Sequence, residues 1–164
     1  MDDRRAIAVA ARSADAGTDG GAQVSDPLAH LAGYAALRVH LVLRECFERE
    51  IGEPMDLRPV EFTLLSRLAR DRALTAKALA EALAVRAPNL TAIVERLTER
   101  GLIRRERNHE DRRSVLIRLT PAGRRVQKRA LEVSHTMERE RLAALSEAER
   151  EQFLALAWRI VGPA

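Results

Sequence analysis

The stretch DRRSVLIRLTPAG, Asp111 to Gly123, decides the fold. Val115 to Leu119 is β-branched and apolar, the composition of a strand. Thr120 follows as a helix N-cap, and Pro121 suits the first helical position, where a missing N–H costs nothing. Upstream, Leu102 to Arg107 reads as a second strand. The pair encloses Asn108-His109-Glu110-Asp111-Arg112-Arg113-Ser114 as a polar hairpin loop with two arginines at its tip.

Working back from this hairpin, Gly101 stands where a helix must stop. The helix it ends runs from Ala87 to Glu99, with Leu90, Ile93, Val94 and Leu97 on its inner face. A tight turn, Ala84-Val85-Arg86, joins it to a short helix capped by Thr75 and carrying Ala78, Leu79 and Leu83. Pro59 opens another helix before that, with Val60, Leu64, Leu65 and Leu68 inward. Two short helices joined by a three-residue turn form a helix-turn-helix. A hairpin placed after them is a wing, and arginines at its tip suit a nucleic-acid groove. The fold class is therefore mainly α with a small β-wing, a winged helix-turn-helix over residues 56–120.

Helices flank this unit. From Pro27 to about Ile51, Leu28, Leu31, Ala35, Val39, Val42 and Cys46 recur at helical spacing, and Leu41, Leu43 and Phe47 widen the stripe. A helix apolar over so much of its girth needs more than one neighbour, which in so small a domain points to a second copy of the chain. Gly52, Pro54 and Asp56 break the pattern. After the wing, a fifth helix runs from Pro121 to about Leu145. Ser146 and Glu149 then form a capping box for a last helix using Phe153, Leu156, Ala157, Ile160 and Val161. Residues 1–26 are read as a tail, since Ser13 to Ser25 is poor in large side chains and cannot bury enough apolar surface to order itself. Residues 27–164 are then one domain, with 27–52 and 121–164 as its flanking helices.

Composition agrees. With 46% hydrophobic and 32% charged residues, the chain is globular and too polar to span a membrane. Ala6 to Ala11 is too short an apolar run for an export signal, and Arg12 follows at once, so a cytoplasmic protein is expected. Cys46 is the lone cysteine, which excludes a disulfide framework within the chain and a cysteine-based metal site. The net charge is only +4, yet twelve basic residues and four acids lie between Arg96 and Arg129. Such a local field implies an anionic partner. No phosphate-cradling glycine loop, catalytic Ser/His/Asp set or metal-binding His–carboxylate pair appears, and His30, His40, His109 and His135 are scattered. Neither an enzyme nor a cofactor is expected.

The chain resembles the MarR family of bacterial transcription regulators. The resemblance is carried by Leu57-Arg58-Pro59-Val60-Glu61-Phe62-Thr63-Leu64-Leu65, by Leu79-Ala80, and by Pro88-Asn89-Leu90-Thr91 through Leu97. It continues in Arg100-Gly101-Leu102-Ile103-Arg104-Arg105, and in Asp111-Arg112-Arg113 through Leu119-Thr120-Pro121-Ala122-Gly123. The resemblance implies a homodimer in which the first, fifth and sixth helices interlock across a two-fold axis. Each subunit then presents its winged helix to half of a palindromic operator in double-stranded DNA.

The helix Ala87–Glu99 is expected in the major groove, with Asn89 placed to pair with adenine and Thr91 to touch a thymine methyl or a phosphate. Arg96 matches a family position that holds the DNA backbone. Arg86 stands where the family has a capping Ser or Thr. It cannot accept from helix N–H groups and is expected at a phosphate. Ala84 replaces a frequent turn glycine. In the wing, Asp111 is expected to orient Arg113 while Arg112 or Arg113 enters the minor groove.

The resemblance also implies a small aromatic acid, or a thioester of one, as an effector that releases a repressor from DNA. Tyr34, His40 and Phe62 could pack its ring, and Arg38 or Arg44 could pair with its carboxylate. Two alternatives stay open at this stage: a DNA-binding regulator without an effector, and a redox sensor acting through Cys46.

Overall fold

The computed structural model describes residues 26–108 and 114–162. The expected tail, apart from Asp26, and the wing-tip residues Asp111, Arg112 and Arg113 lie outside them. Arg38 closes one compact unit and Val39 opens a second. The described elements are α1 (Ala32–Phe47), α2 (Pro59–Asp71), β1 (Leu74–Thr75), α3 (Ala76–Ala82), α4 (Ala87–Glu99), β2 (Ile103–Arg107), β3 (Val115–Leu119), α5 (Pro121–Arg141) and α6 (Glu147–Val161).

The local stop and start signals act as their chemistry dictates. Thr75 Oγ1 accepts from Ala78 N at 3.2 Å, and Thr120 Oγ1 accepts from Gly123 N at 3.0 Å. Ser146 and Glu149 form the reciprocal box, with Ser146 N donating to Glu149 Oε2 at 2.8 Å. At the end of α4, Gly101 takes φ +64°. Gly101 N donates to Thr98 O (2.9 Å) and Leu102 N to Leu97 O (2.9 Å), so the last carbonyls of the helix are satisfied as the chain turns into β2.

Three boundaries differ from expectation. The first helix begins at Ala32 rather than Pro27, because residues 27–30 form turns, with Leu28 N donating to Asp26 Oδ1 and Leu31 N to Leu28 O. Gly52 and Pro54 do not end the first helix. The winding passes through a π-helical turn, Glu48–Gly52, into Glu53–Met55. There, Glu53 N donates to Glu48 O and Leu57 N to Gly52 O, each reaching back five residues. Pro54 falls in the first turn of the helical segment that follows, where the N–H it lacks is not needed. Asp56 breaks the run instead, at a left-handed φ of 49°. The fifth helix stops at Arg141 rather than near Leu145, because Ser146 must adopt an extended backbone (φ −62°, ψ 164°) to cap the next helix.

The sheet has three strands rather than two, in the order β1-β3-β2, all antiparallel. Leu74 pairs with Ile117 and Ile103 with Leu119. Ile103, Ile117 and Leu119 enter the core beside Leu64, Leu65 and Leu68 of α2, Leu79 of α3, Leu90, Val94 and Leu97 of α4, and Ala130 of α5. Alternation along the hairpin places Arg104, Glu106, Leu116 and Arg118 on one sheet face and Arg105, Val115 and Ile117 on the other. Gly123 lets α5 approach the hairpin: a Cβ there would overlap the Leu102 carbonyl.

α6 has no buried residue: Trp158 is 64%, Val161 69% and Ile160 85% exposed. Its apolar side chains are not buried by any of the described residues. No described helix is long and apolar enough to cross a membrane.

Candidate nucleic-acid interface

α4 is amphipathic in the way a reading helix requires. Leu90, Ile93, Val94 and Leu97 hold one face in the core, leaving Asn89 and Thr91 exposed in its first turns. Pro88 lies in the first turn, where no intrahelical N–H bond is lost. The hydroxyl of Thr91 donates to Ala87 O at 3.1 Å, leaving its methyl and oxygen lone pairs to meet a ligand. Arg86, the N-cap, is exposed and makes no side-chain capping bond. The uncapped N–H groups of this helix end and the guanidinium beside them form a positive surface suited to phosphate. On β2, Arg105 and Arg107 are exposed on one sheet face and extend that charge along the wing, while Arg104 lies on the other face, paired with Glu106 at 2.6 Å.

Arg96 points elsewhere. Its Nη1 donates to both carboxylate oxygens of Glu61 at 2.5 Å, and its Nη2 donates to Asp56 Oδ1 at 2.5 Å. Glu61 is wholly buried, and its Oε2 also accepts from Arg58 N at 2.9 Å. Arg58 cannot return that bond, because a guanidinium accepts nothing, so α2 carries half of a capping box. Arg100 donates to the carbonyls of Asp56 and Met55. The hydrogen bonds to Glu61, foremost, raise the pKa of Arg96 above its ordinary value. Arg96 and Arg100 therefore bolt the C-terminal half of α4 to the Met55–Glu61 segment and hold its N-terminal half in a defined pose. Sequence reasoning placed Arg96 at the DNA backbone and missed Glu61, Asp56 and Arg100. The available signals were a Glu three residues after Arg58 and two arginines one helical turn apart.

The proposed effector residues fall into separate groups. Tyr34 Oη donates to Asp26 Oδ2 at 2.5 Å and accepts from Arg38 Nη1 at 3.2 Å. The bond from Tyr34, foremost, and one from Leu28 N lower the pKa of Asp26. Phe62 packs at 50° on Phe47, with ring centroids 5.8 Å apart. His40 and Arg44 are exposed. Cys46 is buried, with Arg49 Nη2 3.9 Å from its sulfur. Among the described residues no His, Cys, Asp and Glu cluster could hold a metal.

The comparisons with known proteins converge on this architecture. The MarR family model matches residues 57–115. An uncharacterised HTH-type transcriptional regulator of Mycobacterium bovis is 31% identical over 126 residues, covering 77% of this chain and 87% of its own length. The transcriptional repressor CouR, solved on a 23-mer DNA duplex, is 32% identical with a TM-score of 0.77, covering 82% of this chain and 95% of its own. PcaV of Streptomyces coelicolor, solved with its natural ligand, is 25% identical with a TM-score of 0.72, covering 89% and 96%. With a core-anchored reading helix, a wing and relatives that share both, the chain belongs to the MarR family of DNA-binding transcriptional regulators.

Proposed function

We propose that the chain is a homodimeric repressor that leaves a palindromic operator when a small aromatic acid, or its thioester, binds. The observation that carries the DNA half is the division of labour along α4. Its C-terminal half is clamped by Glu61 and Asp56, while Arg86, Asn89 and Thr91 stand exposed at the other end. A rigid helix with an exposed, uncapped N-terminus can dock in a major groove without reordering. The wing-tip arginines Arg112 and Arg113, with Asp111 as orienting partner, would extend the contact into the minor groove.

The dimer half is supported by α6, whose apolar stripe of Phe153, Leu156, Ile160 and Val161 is left exposed by the described residues. The ligand half is supported by the chemistry of Tyr34, Arg38, His40, Arg44 and Phe62, and by the PcaV relative with its ligand bound. Such a ligand can release DNA only by binding the DNA-incompetent arrangement more tightly.

Fluorescence anisotropy of the purified protein on DNA from upstream of its own gene, at two salt concentrations and with a panel of aromatic acids, tests the whole reading. Salt-dependent binding tighter than to random DNA, reversed by one acid, is expected. Binding no tighter than to random DNA would overturn the regulator reading at this site, and specific binding that no acid disturbs would overturn the effector.

A further inference from the structure

The sheet face turned away from α4 carries a basic cavity. It encloses about 600 Å3 between the end of α2, the base of the wing and the first turns of α5. Five cations line it: Arg72, Arg104, Arg118, Arg124 and Lys128. Arg104 and Arg118 share one carboxylate, Glu106, at 2.6 and 2.7 Å. Arg72, Arg124 and Lys128 make no ion pair with the described residues, so five positive charges face a single acid. Arg118 Nε is buried and, though close to Glu106, lies outside hydrogen-bond geometry with it. Clustered cations repel, so the arrangement is satisfied best by an anion.

We propose that this cavity binds a nucleoside polyphosphate. The cations come from four different elements, so no single carboxylate or phosphate reaches them all, whereas a phosphate chain can. The core leucines Leu68 and Leu119 lie beneath the cavity, and the nucleoside would sit over the exposed Ala69 at its edge. The volume lies in the range of organic-ligand sites, about 300–1,000 Å3. α3 and α4 pack toward the opposite sheet face, at Arg105, Val115 and Ile117. His40, Arg44 and Phe62 do not line the cavity, so the site is independent of the aromatic-acid reading.

Isothermal titration calorimetry on the full chain tests the site with ATP as probe, AMP and inorganic triphosphate as comparators, and no DNA present. One ATP per chain is expected, binding at least about tenfold tighter than AMP, because each charge-assisted phosphate contact adds affinity. The double variant Arg124→Ala/Lys128→Ala should lose at least about tenfold in ATP affinity, since both side chains are exposed and reach the cavity. Arg129→Ala, on the same helix but outside the cavity, should bind ATP like the parent. Unsaturable binding, or ATP affinity unchanged in the double variant with an unaltered melting curve, would overturn the proposal. Triphosphate binding as tightly as ATP would overturn the seat for the nucleoside. Displacement of ATP by a random-sequence duplex, with equal loss of duplex and ATP binding in the double variant, would reassign the cations to the DNA backbone.

Discussion

Arg96, in the second half of the reading helix, closes on both oxygens of the buried Glu61 carboxylate at 2.5 Å. Removing the guanidinium strands that carboxylate in the core with only the Arg58 N–H for company. Arg96→Ala should therefore cost about 3 kcal/mol of stability, as for a buried ion pair that loses one partner. Glu61→Gln should cost less, about 1–2 kcal/mol, because the neutral amide can still accept from Arg96 and Arg58. Urea unfolding of the three proteins checks the order. A fully stable Arg96→Ala protein with a shallower salt dependence of DNA binding would make Arg96 a phosphate contact rather than a clamp.

Ala84 sits at a left-handed φ of 51°, in the turn between α3 and α4. Its Cβ makes that conformation unfavourable, whereas glycine adopts it freely. Ala84→Gly should raise stability by about 0.5–1 kcal/mol, the relief of strain less the larger chain entropy lost on folding. A thermal melt shows the sign directly.

Gly123 should tolerate no side chain. The Leu102 carbonyl that a Cβ would strike also accepts from Thr120 N at 3.0 Å, so it cannot yield without breaking the junction between wing and α5. Gly123→Ala should cost about 2–3 kcal/mol, at the upper end of overpacking. Because the defect lies at the wing's base, DNA affinity should fall with it in a paired unfolding and binding assay.

Base reading and phosphate holding separate by experiment. Asn89→Ala should relax preference at one base pair by about 1–3 kcal/mol while leaving the salt slope intact. Arg86→Ala should weaken binding to all sequences alike and lower the salt slope by about one. Anisotropy over a salt series on operator and mutated operators distinguishes the two.

Glu149 gives α6 an acid-sensitive start. Its hydrogen bonds with Ser146, led by the side-chain one, lower its pKa below the ordinary 4.5. A carboxylate with a depressed folded pKa contributes stability that is whole above the unfolded value and is lost as pH falls through the folded one. The start of α6 should thus fray as the solution is acidified below about pH 4.5. Glu149→Gln should lose that pH dependence, read by amide hydrogen exchange across α6.

Much of this architecture was legible in the linear chain because its signals act over a few residues. Thr75, Thr120 and Ser146 each satisfy an N–H group three positions away, and Gly101 ends α4 through bonds to Leu97 and Thr98. Apolar spacing likewise marked which face of α4 turns inward and left Asn89 and Thr91 outward. Other features depended on partners distant in sequence. Arg96 meets Glu61 across 35 positions, which turned an expected backbone contact into an internal clamp. β1 is two residues long and exists only because Leu74 finds Ile117. The π-helical turn before Asp56 reflects bonds shifted by one residue, which Gly52 and Pro54 do not advertise. The basic cavity likewise draws its cations from four elements that only folding brings together. Capping and periodicity are local chemistry that a sequence carries in its spacing, whereas long-range pairing and concavity arise only when the packed core brings distant residues together.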